Sequence, residues 1–446
     1  MRSLLLIYLC VFFITSVTPA QSFFGLPTIK DADQFNSAVV RTATLLHAAT
    51  ASNPVEVRIL VYGQSISVQD WWKEVKKYVE TRFPFARIQF INKAIGGFSA
   101  ERLKLTVEND VVSFYPDLVL FHDYGSETDY EKIIQVIRSR TTAEIILQTD
   151  HMAVQNQEWH DKHSAVWIPA IAKKYGLAII DVRKVWKEYL IQNKLEIKDL
   201  LSDGVHLNQH GNYLMTSIVN KYFESLRQPQ VKSSFYNEYL EGTDFLVQGR
   251  TIKKEIDGNR IDLVFADKAF KPNKLSVQVD GGKPNLLSSC FYNTRPAFDT
   301  TSFFLKKIGQ PLAIKLGGNV KEEEWKMTIT SVDSIKQQVG FLLRGSITGE
   351  DGVGSSDSMF RSISGAIAIE PANWFRAKEF ARFPWLVPGD VLTWKVKRMC
   401  HDKLTSKAAA TTTILQGIEN KKYLLKLRGK GTKQVKAIRV YKPPLA

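Results

Sequence analysis

The sequence predicts an α/β domain built on a mostly parallel sheet, followed by an all-β region that reads as a sandwich. Three observations carry that expectation. From about residue 31 to 226, short apolar runs alternate with stretches of helical periodicity, joined by short connections. The runs are continuously apolar, as strands covered on both faces are. Near Gln230 the helical periodicity nearly disappears, and strand-like segments punctuated by glycine turns take over.

The chain opens with Met1-Arg2, an apolar stretch from Leu4 to Ile14, and a small, polar stretch from Thr15 to Gln21. That is the pattern of a secretory leader cut after Ala20. It leaves residues 21–229 for the α/β domain and 230–446 for the β region. A helical pattern from Asp31 to Ala51 carries Phe35, Val39, Val40, Leu45 and Leu46 as its apolar stripe. The run Ile59-Leu60-Val61-Tyr62 then reaches Gly63-Gln64-Ser65, which reads as a buried strand, a tight glycine turn and an exposed serine. Trp71, Val75, Tyr78 and Val79 recur at helical spacing, and that helix ends near Phe83-Pro84.

Further strands are expected from Ala86 to Ile91, Asp117 to Phe121, Ala143 to Gln148 and Leu177 to Asp181. Helices fit between them from Glu101 to Val112, Tyr130 to Arg138 and Ala165 to Tyr175. The unit closes with Asp203-Gly204-Val205-His206 and a helix from Gly211 to Leu226. In the β region, strands are expected from Phe245 to Gly249, Ile261 to Phe265, Leu275 to Val279, Trp325 to Ile329 and Val391 to Val396. Turns are expected at Asp280-Gly281-Gly282, Gly317-Gly318 and Asp351-Gly352.

Composition bounds the function classes. With 446 residues, 44% apolar and 24% charged, the chain is globular and long enough for two or three domains. No run after the leader is long and apolar enough to span a bilayer. Three cysteines are present, and losing the leader removes Cys10, so Cys290 and Cys400 allow one disulfide. The net charge of +15 favours acidic partners. Without a recognised nucleic-acid module, and with an export signal, an anionic polysaccharide fits better than nucleic acid. Part of the charge is local: Lys421 to Lys442 holds nine Lys/Arg and no acid, and its alternation reads as the wet face of a terminal strand.

Ser65, Asp203 and His206 are the first candidates for chemistry. A serine at the carboxyl end of a central strand lies where α/β proteins bind ligands. Asp203 and His206, three apart in a turn, can pair a carboxylate with the Nδ1 side of an imidazole and leave Nε2 for a nucleophile. The same pair could equally be half of a metal site or a capped turn.

Gly63-Gln64-Ser65, Gly97 at the end of a second strand, Gly125 after a third, and Asp203-Gly204-Val205-His206 resemble the four spaced blocks of the SGNH/GDSL hydrolases over residues 55–226. The resemblance implies a three-layer α/β sandwich of flavodoxin-like type. It gives Ser65 the nucleophile's position, His206 the general base's and Asp203 the orienting acid's. The backbone amides of Ser65 and Gly97 match two donors of the oxyanion hole. Gln64 replaces the usual Asp of the nucleophile block, a variant familiar among carbohydrate-acetyl esterases. The third block lacks its usual oxyanion asparagine, and His122 or Tyr124 is expected to donate instead, with His122 favoured.

Phe98, Asp123, Asp150 and His151 sit at strand ends on the same rim and are expected to contact substrate. His160, Asp161 and His163 follow in what reads as a loop. Phe98 and Tyr124 could stack on sugar rings, and Trp374, Phe375, Phe380, Phe383 and Trp385 could form a carbohydrate platform or a sandwich core. The favoured reading is a secreted serine esterase that removes an O-acetyl or similarly small acyl group from a glycan, with no metal and no cofactor. Two alternatives stand beside it: glycosidic cleavage by a pair of rim carboxylates, and a glycan-binding protein without catalysis.

Overall fold

The computed structural model describes residues 25–445 apart from 27–28, 30–31, 231–234, 267–274, 299–306, 377–383 and 405–409. The leader, Phe380 and Phe383 lie outside the described residues. The first region alternates helices α1 (Ala32–Ala38), α2 (Val40–Ala48), α3 (Ser65–Val68), α4 (Trp71–Arg82), α5 (Ala100–Val107), α6 (Glu127–Arg140), α7 (Gln157–Lys162), α8 (Ile168–Tyr175), α9 (Val182–Asn193) and α10 (Gln209–Ser225) with five strands. These are β1 (Glu56–Gly63), β2 (Arg87–Asn92), β3 (Leu118–His122), β4 (Glu144–Gln148) and β5 (Ala178–Ile180). The strands pair in parallel in the order β2-β1-β3-β4-β5.

Both faces of this sheet are covered, because alternate residues of β1 enter different cores. Val57, Ile59 and Val61 pack with Trp71, Val75, Trp186, Leu214 and Ile218 on one side. Leu60 and Tyr62 pack with Leu103, Ile133, Ile134, Ile168 and Ile171 on the other. The strands are where the apolar runs place them, to within three residues. The helical pattern from Asp31 to Ala51 is interrupted at Val39, giving α1 and α2. Helix α9 is an addition to the sequence reading: Val182, Val185, Trp186, Tyr189 and Leu190 form its buried stripe.

The second region is antiparallel. One five-stranded sheet orders Phe291–Asn293, Val391–Arg398, Glu324–Asp333, Gln338–Gly345 and Gly349–Ser355. Two four-stranded sheets, containing Thr251–Gly258 and Arg260–Phe265, share a single large core with it. Two expectations need correcting. Phe245 to Gly249 forms isolated bridges, and the strands lie on either side of it, at Tyr236–Leu240 and Thr251–Gly258. Asp351-Gly352 lies inside the strand Gly349–Ser355, where the glycines make room for aromatic rings: a Cβ on Gly354 would meet Phe360 at 2.5 Å and Phe341 at 2.6 Å.

Cys290 and Cys400 are disulfide-bonded, with Cα atoms 5.4 Å apart. In the basic stretch, Ala437, Ile438 and Val440 turn inward while Lys436 and Arg439 pair with Glu241 and Glu238. Among the described residues, no helix is long and apolar enough to cross a membrane. The boundary near residue 230 does not separate the cores completely. Ile308, Leu312 and Phe375 of the β region belong to the cluster that covers one face of the parallel sheet.

Candidate active site

The turn after β1 is built by Gly63. Its φ of +146° favours glycine, and a Cβ there would lie 1.9 Å from the carbonyl oxygen of His122, its parallel partner on β3. With no side chain at 63, the Gln64 amide donates to that carbonyl at 3.3 Å and the chain turns directly into α3 at Ser65. Gln64 caps this helix: its Oε1 accepts from the Ile66 amide at 3.2 Å and from the Ser65 hydroxyl at 2.7 Å.

His206 arrives from the other end of the domain. Its Nε2 lies 3.0 Å from Ser65 Oγ, and its Nδ1 lies 2.8 Å from Asp203 Oδ2. The other oxygen of Asp203 accepts from the amides of Val205 and His206, each at 2.7 Å. These bonds, the His206 amide first, then its ring, then the Val205 amide, hold the Asp203 carboxyl at about 2. An anionic Asp203 accepts Nδ1–H, which leaves Nε2 free to take a proton from Ser65. The pair is open to solvent, with 58% of the Asp203 side chain and 43% of the His206 side chain exposed.

Three sets of bonds hold the loop that carries His206, and the first ties it to the Ser65 helix. Gln69, just past α3, both donates to the Leu207 carbonyl and accepts from the Leu207 amide, each at 2.9 Å. His151 Nε2 donates to the Val205 carbonyl at 2.7 Å. Asn208 caps α10 by accepting from the Gly211 amide at 3.0 Å. The Gly96-Gly97 turn lies on the other side of the serine. The Ile95 amide donates to the Gly63 carbonyl at 2.9 Å, and a Cβ on Gly96 would sit 3.9 Å from Ser65 Cβ. Gly97 takes a φ of +78°. Among the described residues its amide has no hydrogen-bond partner, while its carbonyl accepts from Arg102 at 3.1 Å.

Beneath this surface lies a second, buried histidine–carboxylate group. Asp150, at the end of β4, is wholly buried, and its Oδ2 accepts from His160 Nδ1 at 2.7 Å and from His163 Nδ1 at 3.2 Å. His122 Nε2 lies 3.5 Å from Asp150 Oδ1, too poorly placed for a hydrogen bond, so among the described residues both atoms are left without one. Burial alone would raise the Asp150 carboxyl, but His122, His160 and His163 together hold it well below the carboxylate range. The other nitrogen of His122 faces Gln64 Nε2 at 3.4 Å, so one chain of contacts runs from Asp150 through His122 and Gln64 to Ser65.

The structure therefore brings Ser65, Asp203 and His206 together, with Gly97 beside them. Both ring nitrogens of His122 are turned to Gln64 and Asp150. Tyr124 directs its hydroxyl to His151 Nδ1 at 3.3 Å, and burial pushes the His151 imidazole down to about 3, which keeps it neutral. Asp123 is buried; its Oδ1 accepts from the Tyr124 amide while Oδ2 has no partner among the described residues, and burial raises its carboxyl well above the usual range. Phe98 is fully buried and stacks on Phe375, with ring centroids 6.3 Å apart. Trp159, part-exposed beside Tyr124, is the aromatic that faces solvent here.

The segment of His160, Asp161 and His163, expected as a loop, is helical: His160 and Asp161 lie in α7 and His163 opens the π-helical turn after it. Sequence reasoning missed the grouping of the two histidines around Asp150, although their spacing of three places them on one helix face. It also missed Gln69 and Arg183. Arg183, on α9, donates to the His151 carbonyl at 2.9 Å. A cavity of about 730 Å³ lies by β5, lined by Phe35, Thr149, Leu177 and Tyr222, and its lining does not include Ser65, Asp203 or His206.

No family model and no curated protein matches the chain. Among solved structures it is similar to an acetylxylan esterase from Geobacillus stearothermophilus, at 19% identity over 39% of this chain and 97% of that one, TM-score 0.34. It is also similar to an acetyl xylan esterase, at 24% identity over 38% and 100% of the two chains, TM-score 0.34. A two-domain esterase active on acetylated mannans matches at 12% identity over 88% and 92%, TM-score 0.34. Similarity this slight assigns neither family, activity nor substrate to the chain.

Proposed function

We propose that the chain is an SGNH-type serine ester hydrolase that removes a small acyl group, such as acetyl, from a glycan. The observation that carries this reading is the Ser65–His206–Asp203 alignment, 3.0 Å and 2.8 Å along its two links. His206 Nε2 takes the Ser65 proton as Oγ attacks the ester carbonyl carbon. The resulting oxyanion is held by the Ser65 and Gly97 amides. His206 then returns the proton to the leaving alcohol oxygen as the C–O bond breaks. Water, deprotonated by the same imidazole, attacks the acyl-enzyme and releases the carboxylic acid and free Ser65. At rest the Ser65 hydroxyl also meets Gln64 Oε1 at 2.7 Å, so it must turn from Gln64 to His206 before attack.

The open setting of the triad supports a small acyl group on a bulky alcohol. A polymer can lie across a part-buried serine whose Asp203 and His206 partners are open to solvent. The disulfide fits an oxidising, extracytoplasmic compartment. The glycosidase alternative loses support because Asp123 and Asp150 are both buried. Release of acetate from acetylated glycans, with reducing sugar measured in the same samples, tests the reading. Acetate without new reducing ends supports it, and new reducing ends without acetate overturn it.

A further inference from the structure

The Gly96-Gly97 turn is gripped from both ends by the β region. At its start, Arg295 forks onto Asp110, with Nε to Oδ1 at 2.9 Å and an Nη to Oδ2 at 2.6 Å, and the same Nη donates to the Lys93 carbonyl at 2.5 Å. Lys93 Nζ donates to the Asp110 carbonyl at 2.7 Å, and Tyr62, next to Gly63, donates to the Asp110 carboxylate at 3.3 Å. At the end of the turn, the Phe98 ring stacks on Phe375. The Phe375 backbone is fixed within the β region: its amide donates to the Gln310 carbonyl and its carbonyl accepts from the Gly309 amide, each at 2.8 Å. Arg102, which donates to the Gly97 carbonyl, places its guanidinium 5.8 Å over the Phe375 ring. Ile95 and Phe98 share their buried cluster with Ile308, Leu312 and Phe375.

We propose that Arg295 and Phe375 are positioning residues for acyl transfer: from the β region, they fix the two ends of the turn that aims the Gly97 amide beside Ser65. The inference rests on the serine-hydrolase reading. It makes the β region part of the catalytic apparatus, coupled to the nucleophile through the shared turn. A donor placed slightly off the developing oxyanion loses much of its effect, since a misplacement of a single ångström can cost about 10²-fold. Removing Arg295 outright would strand the buried Asp110 charge and endanger folding, so milder changes are the right probes. R295K keeps the charge but loses the fork, and F375L keeps the apolar contact but loses the stacked ring.

Both full-length variants are to be compared with the wild type for kcat and KM on a small acetyl ester. Hydrogen exchange is followed in the segment from Lys93 to Arg102 and, as reference, in β3 and β4. The expected result is faster exchange confined to the 93–102 segment, with kcat lower by roughly tenfold and KM little changed. Unchanged exchange in that segment overturns the proposal, whatever the activity. Faster exchange with wild-type kcat also overturns it, because the turn would then be held without consequence for the chemistry. Faster exchange in variants of a protein whose wild type hydrolyses the ester no faster than S65A keeps the mechanical coupling and removes the acyl-transfer reading instead.

Discussion

Two histidine–aspartate groups stand at the carboxyl ends of the same sheet, and they differ in almost every physical respect. Asp203 and His206 are open to water; their carboxylate is kept ionised by two backbone amides and one imidazole. Asp150 is sealed beneath three histidines, and two of them, His160 and His163, donate to one oxygen. The exposed pair reaches the Ser65 hydroxyl directly, whereas the buried group touches it only through His122 and Gln64. On the proposed reading, the same residue types thus perform different tasks. An exposed imidazole can exchange its proton with substrate and water, while a buried carboxylate among histidines holds backbone and side chains in register.

The sharpest way to break this contrast is to remove one histidine from each group. H206A is expected to lower kcat on a small acetyl ester by on the order of 10⁴-fold or more. Its thermal midpoint should stay within about 2 °C, because an exposed side chain carries little packing. H160A, measured by the same kinetics and calorimetry, should show the reverse: a clear loss of midpoint and a far smaller loss of kcat. Comparable kinetic losses in the two variants would erase the distinction.

Asp150 sharpens it from the other partner. D150N removes the charge that His160 and His163 are arranged around, at a cost of about 3 kcal/mol. Its thermal midpoint should fall by about 5 °C or more, with kcat of the folded protein within about tenfold of wild type. A D150N enzyme that melts normally but is inactive would move Asp150 into the chemistry.

The pH dependence of stability follows from the buried groups. His151 is neutral when folded, with its pKa lowered from 6.5 to about 3 by burial first and the nearby His122 second. The unfolded chain therefore binds more protons between those values. Stability is full above 6.5 and is lost progressively as pH falls towards 3. The lowered carboxyl of Asp150 acts in the same sense at more acid pH, lost as pH falls below the ordinary value of 3.8. Asp123 has the opposite sign: its raised pKa favours folding at low pH, and this contribution is lost as pH rises above 3.8. D123N should therefore raise the midpoint at pH 8 relative to wild type and change it little at pH 4. A uniform shift at both would contradict a protonated Asp123.

The smallest effect is expected from Y124F. Its hydroxyl meets the buried His151 and not Ser65, so kcat should stay within a few-fold. A loss near 10²-fold, the size expected for a missing oxyanion donor, would place Tyr124 in the oxyanion hole.

How much of this was legible depends on how local each signal is. The parallel sheet could be read because its strands are continuous apolar runs. Gly63-Gln64-Ser65 could be read because glycine, serine and a following helix are neighbours in sequence. Asp203 and His206 lie within one turn. Helix α9 was legible too, since Val182, Val185, Trp186 and Tyr189 keep the helical period with charged residues between them, and only the buried Arg183 departs from it. The grouping of His122, Asp150, His160 and His163 joins the ends of β3 and β4 to the helical segment from 157 to 167, and sequence spacing encodes only the last link, from His160 to His163. Arg295 finds Asp110 across 185 residues, and Phe245 to Gly249 fails as a strand because neighbouring segments took the pairing partners. Cys290 and Cys400 needed only counting.

The central claim is that Ser65 is a nucleophile activated by His206. It is tested most directly by treating the full chain with a fluorophosphonate and locating the modified residue by peptide mass spectrometry. The account predicts a single stoichiometric adduct on Ser65, formed in the wild type, absent in S65A and slowed at least about 10²-fold in H206A. An adduct on another residue, or labelling of Ser65 at the same rate with and without His206, would contradict it.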